Sequence, residues 1–272
     1  MKETPQRPAA EWHEQWSMFQ DSTEFLFREW LAPVKPEDFR GLTVLEGGCG
    51  CGQHTEMMSA FARHVTAVDL NTSDLARERN RGRENVSFVA ADLGTMELPE
   101  RFDAVVSVGV VHHTDDPTRS FENLYAHLKP GGIMALWVYS AEGNAFVRFA
   151  VEPVRKLVLR FLPRRALVPL SWAAALVMWP FAHTLYRVPG LEVLPYYEYL
   201  ANFRRLSLAR NMLNVFDKLN APQTHFIRRA LAEEWFSPAR FRADSISIRP
   251  WAGVSWSLSG IKVESSGCDA SR

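Results

Sequence analysis

Residues 47–52 read GGCGCG, four glycines and two cysteines in six positions, directly after the apolar pair Val44 and Leu45 and directly before a segment of helical character. Two chemistries compete for such a stretch. Thiolates could hold a metal, but Cys49-x-Cys51 has no second cysteine pair, Cys268 stands alone in a polar tail, and His54 falls on the following helix. That set is short of the four ligands a closed zinc site takes, so no metal is expected. The glycines fit a different chemistry. At a strand-to-helix turn, residues without Cβ let the backbone turn sharply and let a small molecule lie against it. The spacing then separates two ligands, because a dinucleotide fingerprint reads G-x-G-x-x-G, whereas Gly48-x-Gly50-x-Gly52 is G-x-G-x-G.

Acids at three further positions sharpen this. Glu46 stands two residues ahead of the glycine run, where a pyrophosphate would be repelled and a cationic ligand end attracted. Asp69 ends the next apolar run, HVTAVD, with Leu70 after it, and a carboxylate at a strand tip can accept two ribose hydroxyls. Asp92 ends FVAAD in the same way, placed to accept from an exocyclic amine with the Leu93 N–H beside it. Together the acids favour a nucleoside that carries an ammonium and a sulfonium.

Residues 40–140 resemble the class I S-adenosylmethionine-dependent methyltransferases, in the small-molecule branch that includes the quinone methyltransferases. The resemblance is carried by VLEGGCGCG for the glycine loop, VTAVDL and FVAADL for the two acids, FDAVVSVGVVHHTDDP for the fourth strand and LKPGGIMALWVY for the fifth. It implies S-adenosylmethionine as cofactor, held by Glu46, Gly48, Gly50, Gly52, Asp69, Leu70, Asp92, Leu93 and Gly109. It also implies an α/β fold: a Rossmann-like seven-stranded sheet with helices on both faces and an antiparallel last strand; the helical insertion before the last helix and strand pair, read from the residues themselves, departs from the family's pattern. Gly47 and the paired cysteines are unusual fillers for this loop.

Methyl transfer from a sulfonium asks the protein mainly to align the acceptor and exclude water. A hydroxyl acceptor would also benefit from a general base, and His113, His112 and Tyr139 at the carboxyl edge of the sheet are the catalytic candidates.

Periodicity supplies the elements that must position these residues. Trp12, Trp16 and Phe19, then Phe25, Leu26 and Trp30, recur at helical spacing and mark a helical cap over residues 1–39. Residues 40–147 alternate strands and helices: LTVLEGG, QHTEMMSAFAR, HVTAVDL, TSDLARERNR, VSFVAADL, RFDAVVSVGV, PTRSFENLYAHLK, the turn PGG, then IMALWVY. Residues 223–263 give a helix, FIRRALAEEWF, and two β-rich runs joined through Pro250 as a hairpin that completes the sheet. Residues 264–272 read as a frayed tail.

Residues 148–222 are the insertion. Across 166–186 there is no Asp, Glu, Lys or Arg in 21 positions, and the segment is preceded by Arg155, Lys156, Arg160, Arg164 and Arg165. Such a run is long enough to span a bilayer, but a span would separate the last strands from their sheet, and Pro169 and Pro180 are expected to break the helix. Two readings remain, a peripheral membrane contact through 155–186 and a buried cap over the site. Net charge is zero, with 31 Lys/Arg against 31 Asp/Glu, which gives no whole-chain argument for nucleic acid. The zero conceals segregation: 148–229 hold 13 basic against 4 acidic residues, so an amphiphilic or anionic acceptor suits the middle third. An odd cysteine count without framework spacing, and an N-terminus lacking an apolar leader, point to the cytoplasm, at the inner face of the membrane if the segment is lipid-facing. The expected activity is transfer of a methyl group to a small apolar or lipid-linked hydroxyl. A quinone-type carbon acceptor and an inactive cofactor-binding scaffold are the alternatives.

Overall fold

The computed structural model describes residues 13, 15–17, 23–162, 164–194, 196–221 and 223–264; Trp12, Phe19 and Cys268 fall outside them. Seven strands, β1 (Thr43–Gly47), β2 (His64–Asp69), β3 (Val86–Ala90), β4 (Phe102–Val108), β5 (Leu128–Tyr139), β6 (Ser247–Trp251) and β7 (Ser255–Ile261), form one sheet in the order 3-2-1-4-5-7-6. Neighbours among β1 to β5 run parallel, while β7 is antiparallel to both β5 and β6. The sheet therefore has the Rossmann-like order and the reversed last strand expected of it.

Period-two alternation decides what each face meets. Leu45, Val68, Val105, Leu136 and Val138 point to one side, where α4 (Pro117–Ala126) and α9 (Arg229–Trp235) bring Phe121, Leu124 and Trp235. Val44, Val65, Val106 and Trp137 point to the other, against Phe27, Trp30 and Leu31 of α1 (Glu24–Leu31) and Met58 of α2 (Gln53–Ser59). Because both faces are covered, the central strands read as nearly continuous apolar runs. The helix α3 (Ser73–Arg79) follows β2.

Three local expectations change. The PGG stretch is not a separate turn: it lies inside the 12-residue β5, which shifts register against β4 there. Pro250 does not make the hairpin turn; it sits within β6, and the reversal falls at Ala252 and Gly253, both at positive φ. A proline is tolerated in β6 because that strand is the sheet edge and has a partner on one side only.

The third change concerns the insertion, built from α5 (Glu152–Leu157), α6 (Arg164–His183), α7 (Tyr197–Phe203) and α8 (Leu208–Asn220). Pro169 and Pro180 do not break α6, which runs unbroken for 20 residues. Each proline removes one backbone hydrogen bond, but they stand near the two ends. Leu167 and Ala175 pack on Met212 and Phe216 of α8 and seat the helix against it.

Trp235 is fully buried and stacks on Phe121 with ring centroids 4.9 Å apart and an interplanar angle of 4°. Its indole N–H has no hydrogen-bond partner among the described residues, so the ring contributes by packing alone. Trp235→Ala should destabilise the fold by about 3–5 kcal/mol, measured by chemical denaturation, whereas Trp235→Phe should cost much less because no hydrogen bond is lost.

Candidate active site

At the carboxyl ends of β1, β2, β3, β4 and β5 lies a cavity of about 250 Å³, where open α/β sheets bind their ligands. Its floor is the glycine loop. Gly48 has φ +83°, and a Cβ there would stand 2.3 Å from the Val110 side chain; at Gly50, φ +53°, it would stand 3.0 Å from the Trp16 indole. Only glycine fits either position without displacing a wall of the cavity. The loop is fixed from behind, since the Gly48 and Cys49 N–H groups donate to the Val68 carbonyl at 2.7 and 3.1 Å.

Asp69 at the tip of β2 ties this loop to the next turn. One carboxylate oxygen accepts from the Gly50 N–H at 3.0 Å, and the other accepts from Asn71 N–H and Thr72 N–H at 3.0 and 3.1 Å. Three of its roughly four lone-pair sites are thereby used. Ribose hydroxyls arriving at this carboxylate would share it with these backbone donors. Leu70, Ala91, Asp92, Leu93, Gly109 and Val110 complete the same end of the cavity. Asp92 accepts from the Gly94 N–H through one oxygen at 2.7 Å.

Two of the expected cofactor residues stand elsewhere. Glu46 does not line the cavity; it is 2% exposed beneath the loop and accepts from the Thr55 hydroxyl. Burial pushes its carboxyl up to about 8, partly opposed by the Thr55 hydrogen bond, and so favours the protonated form in the ligand-free fold. Gly52 is also off the wall. It caps α2 in the left-handed region, where a Cβ would meet the Asn80 amide at 2.5 Å, and its role is close packing of α2 against α3.

The catalytic candidates divide as well. His113 lines the cavity, and its Nδ1 donates to the Gln223 carbonyl oxygen at 2.8 Å. A carbonyl only accepts, so this contact puts the proton on Nδ1 and the lone pair on Nε2. Burial lowers the His113 pKa, partly offset by the nearby Asp217 carboxylate, and the neutral ring is the form a base needs. His112 is 0% exposed, absent from the cavity wall, and stacked between His113 and Tyr139 at 4.2 Å from each. It supports the other two rings and has no access to an acceptor. Tyr139 does line the cavity, but its hydroxyl donates to Asp217 at 2.9 Å, and burial raises its pKa. It remains a phenol and does not act as a base.

The opposite wall comes from Trp16, expected in the N-terminal cap, and from residues that the sequence left unassigned. Arg210, Leu213, Asn214 and Asp217 of α8 face the cavity, with Gln15 and Trp16 from the N-terminal segment. Asp217 joins the two parts, because the Gln15 amide donates to its second oxygen at 3.1 Å. The cap role therefore belongs to α8, and α6 lies outside it. Spacing held a signal for this wall: Arg210, Asn214 and Asp217 recur at i, i+4, i+7 opposite Met212, Phe216 and Leu219. Such a polar stripe ordinarily faces solvent, and here it faces the site.

The described residues fit the nucleoside-sulfonium ligand. The glycine backbone is open to the cavity, an acid stands at the tips of both β2 and β3, and Val110 and Leu93 supply apolar walls. Residues 45–136 match the family model described as a methyltransferase domain. The core of this chain is a class I methyltransferase domain. The chain has curated relatives that it matches over part of its length. It is 31% identical over 127 residues to the ubiquinone biosynthesis O-methyltransferase of Bradyrhizobium sp., covering 46% of this chain and 49% of that one. It is 31% identical over 104 residues to the malonyl-[acyl-carrier protein] O-methyltransferase of Bacillus anthracis, covering 37% and 39%. The chain thus spans less than half the length of either curated relative. The N-methyltransferase NodS of Bradyrhizobium japonicum, solved with S-adenosyl-L-homocysteine, aligns over 94% of this chain and 99% of its own at 12% identity and a TM-score of 0.49.

Glu46 gives a prediction with a definite sign. Its folded pKa of about 8 exceeds the ordinary 4.5, so between those values the folded protein keeps a proton that the unfolded chain has released. The associated stability is complete below about 4.5 and is lost as pH rises through about 8. Thermal midpoints of the wild type should therefore fall relative to Glu46→Gln between pH ~5 and ~9. Parallel profiles would show that Glu46 is ionised in the fold.

Proposed function

We propose that this protein transfers a methyl group from S-adenosylmethionine to the hydroxyl of a small, apolar or amphiphilic acceptor. The observation that carries this reading is the His113 ring on the cavity wall, held by its Nδ1 donation to the Gln223 carbonyl. Support for oxygen as the methylated atom comes from the names of two relatives, both O-methyltransferases. The cofactor, when bound, supplies an electrophilic methyl group that needs no activation by the protein.

The chain's own residues then have separable tasks. The glycine loop, Asp69 and Asp92 hold the nucleoside end. Trp16 and α8 close over the cavity and exclude water, which strengthens every charge interaction inside it. His113 Nε2 takes the acceptor's hydroxyl proton as the oxygen becomes methylated. Asp217, facing the same cavity, stabilises the imidazolium that results. Tyr139 and Gln15 hold Asp217 in place by hydrogen bonds to its two oxygens. We propose the cytoplasm as its compartment, where the buried thiols of Cys49 and Cys51 would stay reduced.

Calorimetry with S-adenosylmethionine, S-adenosylhomocysteine and NAD tests the cofactor. Micromolar binding of the first two and none of NAD is expected; no binding of the first two would overturn the methyltransferase reading and favour a scaffold. With an O-acceptor in hand, His113→Ala should lower kcat by about 10²–10⁴-fold and leave cofactor affinity unchanged. Because burial lowers the His113 pKa, the acid limb of the wild-type rate profile should lie below the ordinary histidine value of 6.5. An unchanged kcat in His113→Ala would remove it as the base.

A further inference from the structure

Among the described residues every exposed large apolar side chain except Leu70 lies between Phe146 and Val193. The densest part is α6. Leu167, Ser171, Ala175 and Ala182 are buried on its inner side, while Leu170, Leu176, Val177 and Phe181 face outward at helical spacing with Pro169, Ala173 and Pro180 between them. A helix on the surface of a soluble protein ordinarily turns a polar face outward. This one is apolar on both sides, with a mean hydropathy of 1.4 over 165–183 and 22% of its most apolar window buried. At α5 and just beyond, Phe149, Leu157 and Phe161 add exposures of 70–74%. So much contiguous apolar surface marks a contact with another body.

Charge identifies that body. Residues 146–193 carry seven Lys/Arg and two Asp/Glu. One of the two acids, Glu152, is buried on Arg155 at 2.7 Å, with Lys156 at 3.3 Å. Arg165 and Arg187 stand exposed beyond the two ends of the apolar strip. A second copy of this chain would bring these basic rims against each other. An apolar strip with a basic border instead complements a bilayer surface that carries anionic headgroups.

We propose that α6 and the adjoining edge of α5 lie on an anionic lipid bilayer, with the outer face of α6 in the headgroup and acyl boundary. The helix rests on the bilayer and does not cross it, because its inner face is occupied by α8. The cavity then sits two helices away from lipid, with α6 on the bilayer and α8 between α6 and the cavity. This docking is independent of the methyl-transfer reading, since neither the cofactor nor His113 takes part.

Flotation of the purified full chain with vesicles tests it directly. The protein should float with phosphatidylcholine vesicles containing phosphatidylglycerol, float poorly with phosphatidylcholine alone, and release as salt is raised. Leu176, Val177 and Phe181 are 55%, 63% and 53% exposed, so Leu176→Glu/Val177→Glu/Phe181→Glu should fold normally by circular dichroism, retain S-adenosylmethionine binding in calorimetry and lose at least tenfold in vesicle association. Failure of the wild type to float, or equal flotation of the triple variant, would overturn the proposal. A concentration-dependent dimer abolished by the triple variant, without vesicle binding by the wild type, would assign the face to a second copy instead. Cofactor calorimetry reads the methyltransferase assignment separately, so failure of one leaves the other standing.

Discussion

Asp217 closes the cavity by accepting from Tyr139 at the tip of β5 and from Gln15 of the N-terminal segment, while it sits itself on α8 of the insertion. Three parts of the chain far apart in sequence meet at one carboxylate. A carboxylate out of bulk water is tolerable only when its oxygens are hydrogen-bonded, so each donor must be where it is. The Tyr139 ring is placed by His112, which stacks on it, and His112 in turn supports His113. The aromatic cluster under the cavity is thus ordered outward from a buried pair of rings toward the charged group that closes the roof.

The glycine loop is ordered by a similar economy. Asp69 is shared between holding the loop, through the Gly50 N–H, and ordering the turn into α3, through the N–H groups of Asn71 and Thr72. A ligand hydroxyl arriving at this carboxylate competes with backbone donors of comparable strength. Binding a ribose here therefore exchanges hydrogen bonds and adds few, and the net gain is smaller than a count of contacts suggests. Glu46, the acid that spacing marked as a partner for cationic charge, holds the base of the loop through Thr55. Its place near the end of β1, between buried Leu45 and Gly47, buries it, and burial raises its pKa.

The parallel sheet and the positions of its tips were legible because period-two burial and glycine chemistry are local signals that tertiary context rarely overrides. Gly48, Asp69, Asp92 and Gly109 fall where the pattern puts them. The wall opposite was not legible. An amphipathic helix such as α8 shows that one side is apolar and the other polar, but nothing in the stripe Arg210, Asn214, Asp217 says whether water or a cavity lies beyond it. The hairpin formed as expected, but its turn was misplaced for a different reason. Pro250 signals a break only if the strand needs its N–H, and the need depends on the strand being central or at the edge. That is a property of the sheet order and is absent from the residues themselves.

Helix α6 carries the same ambiguity to its limit. Its uncharged run satisfies a membrane span, a buried cap and an interfacial helix alike, and the prolines expected to divide it stand near its ends. What separates the three is what each side touches. The inner side touches the apolar face of α8, whose polar face is committed to the cavity, so α8 alone is the cap and α6 covers the back of that cap. Covering it would take only one apolar stripe. The second stripe, on the outside, adds nothing to the fold and carries the usual penalty of apolar surface in water. A helix whose outer face the fold does not use is a surface made for contact, and its arginine border sets the sign of charge that the contact must carry.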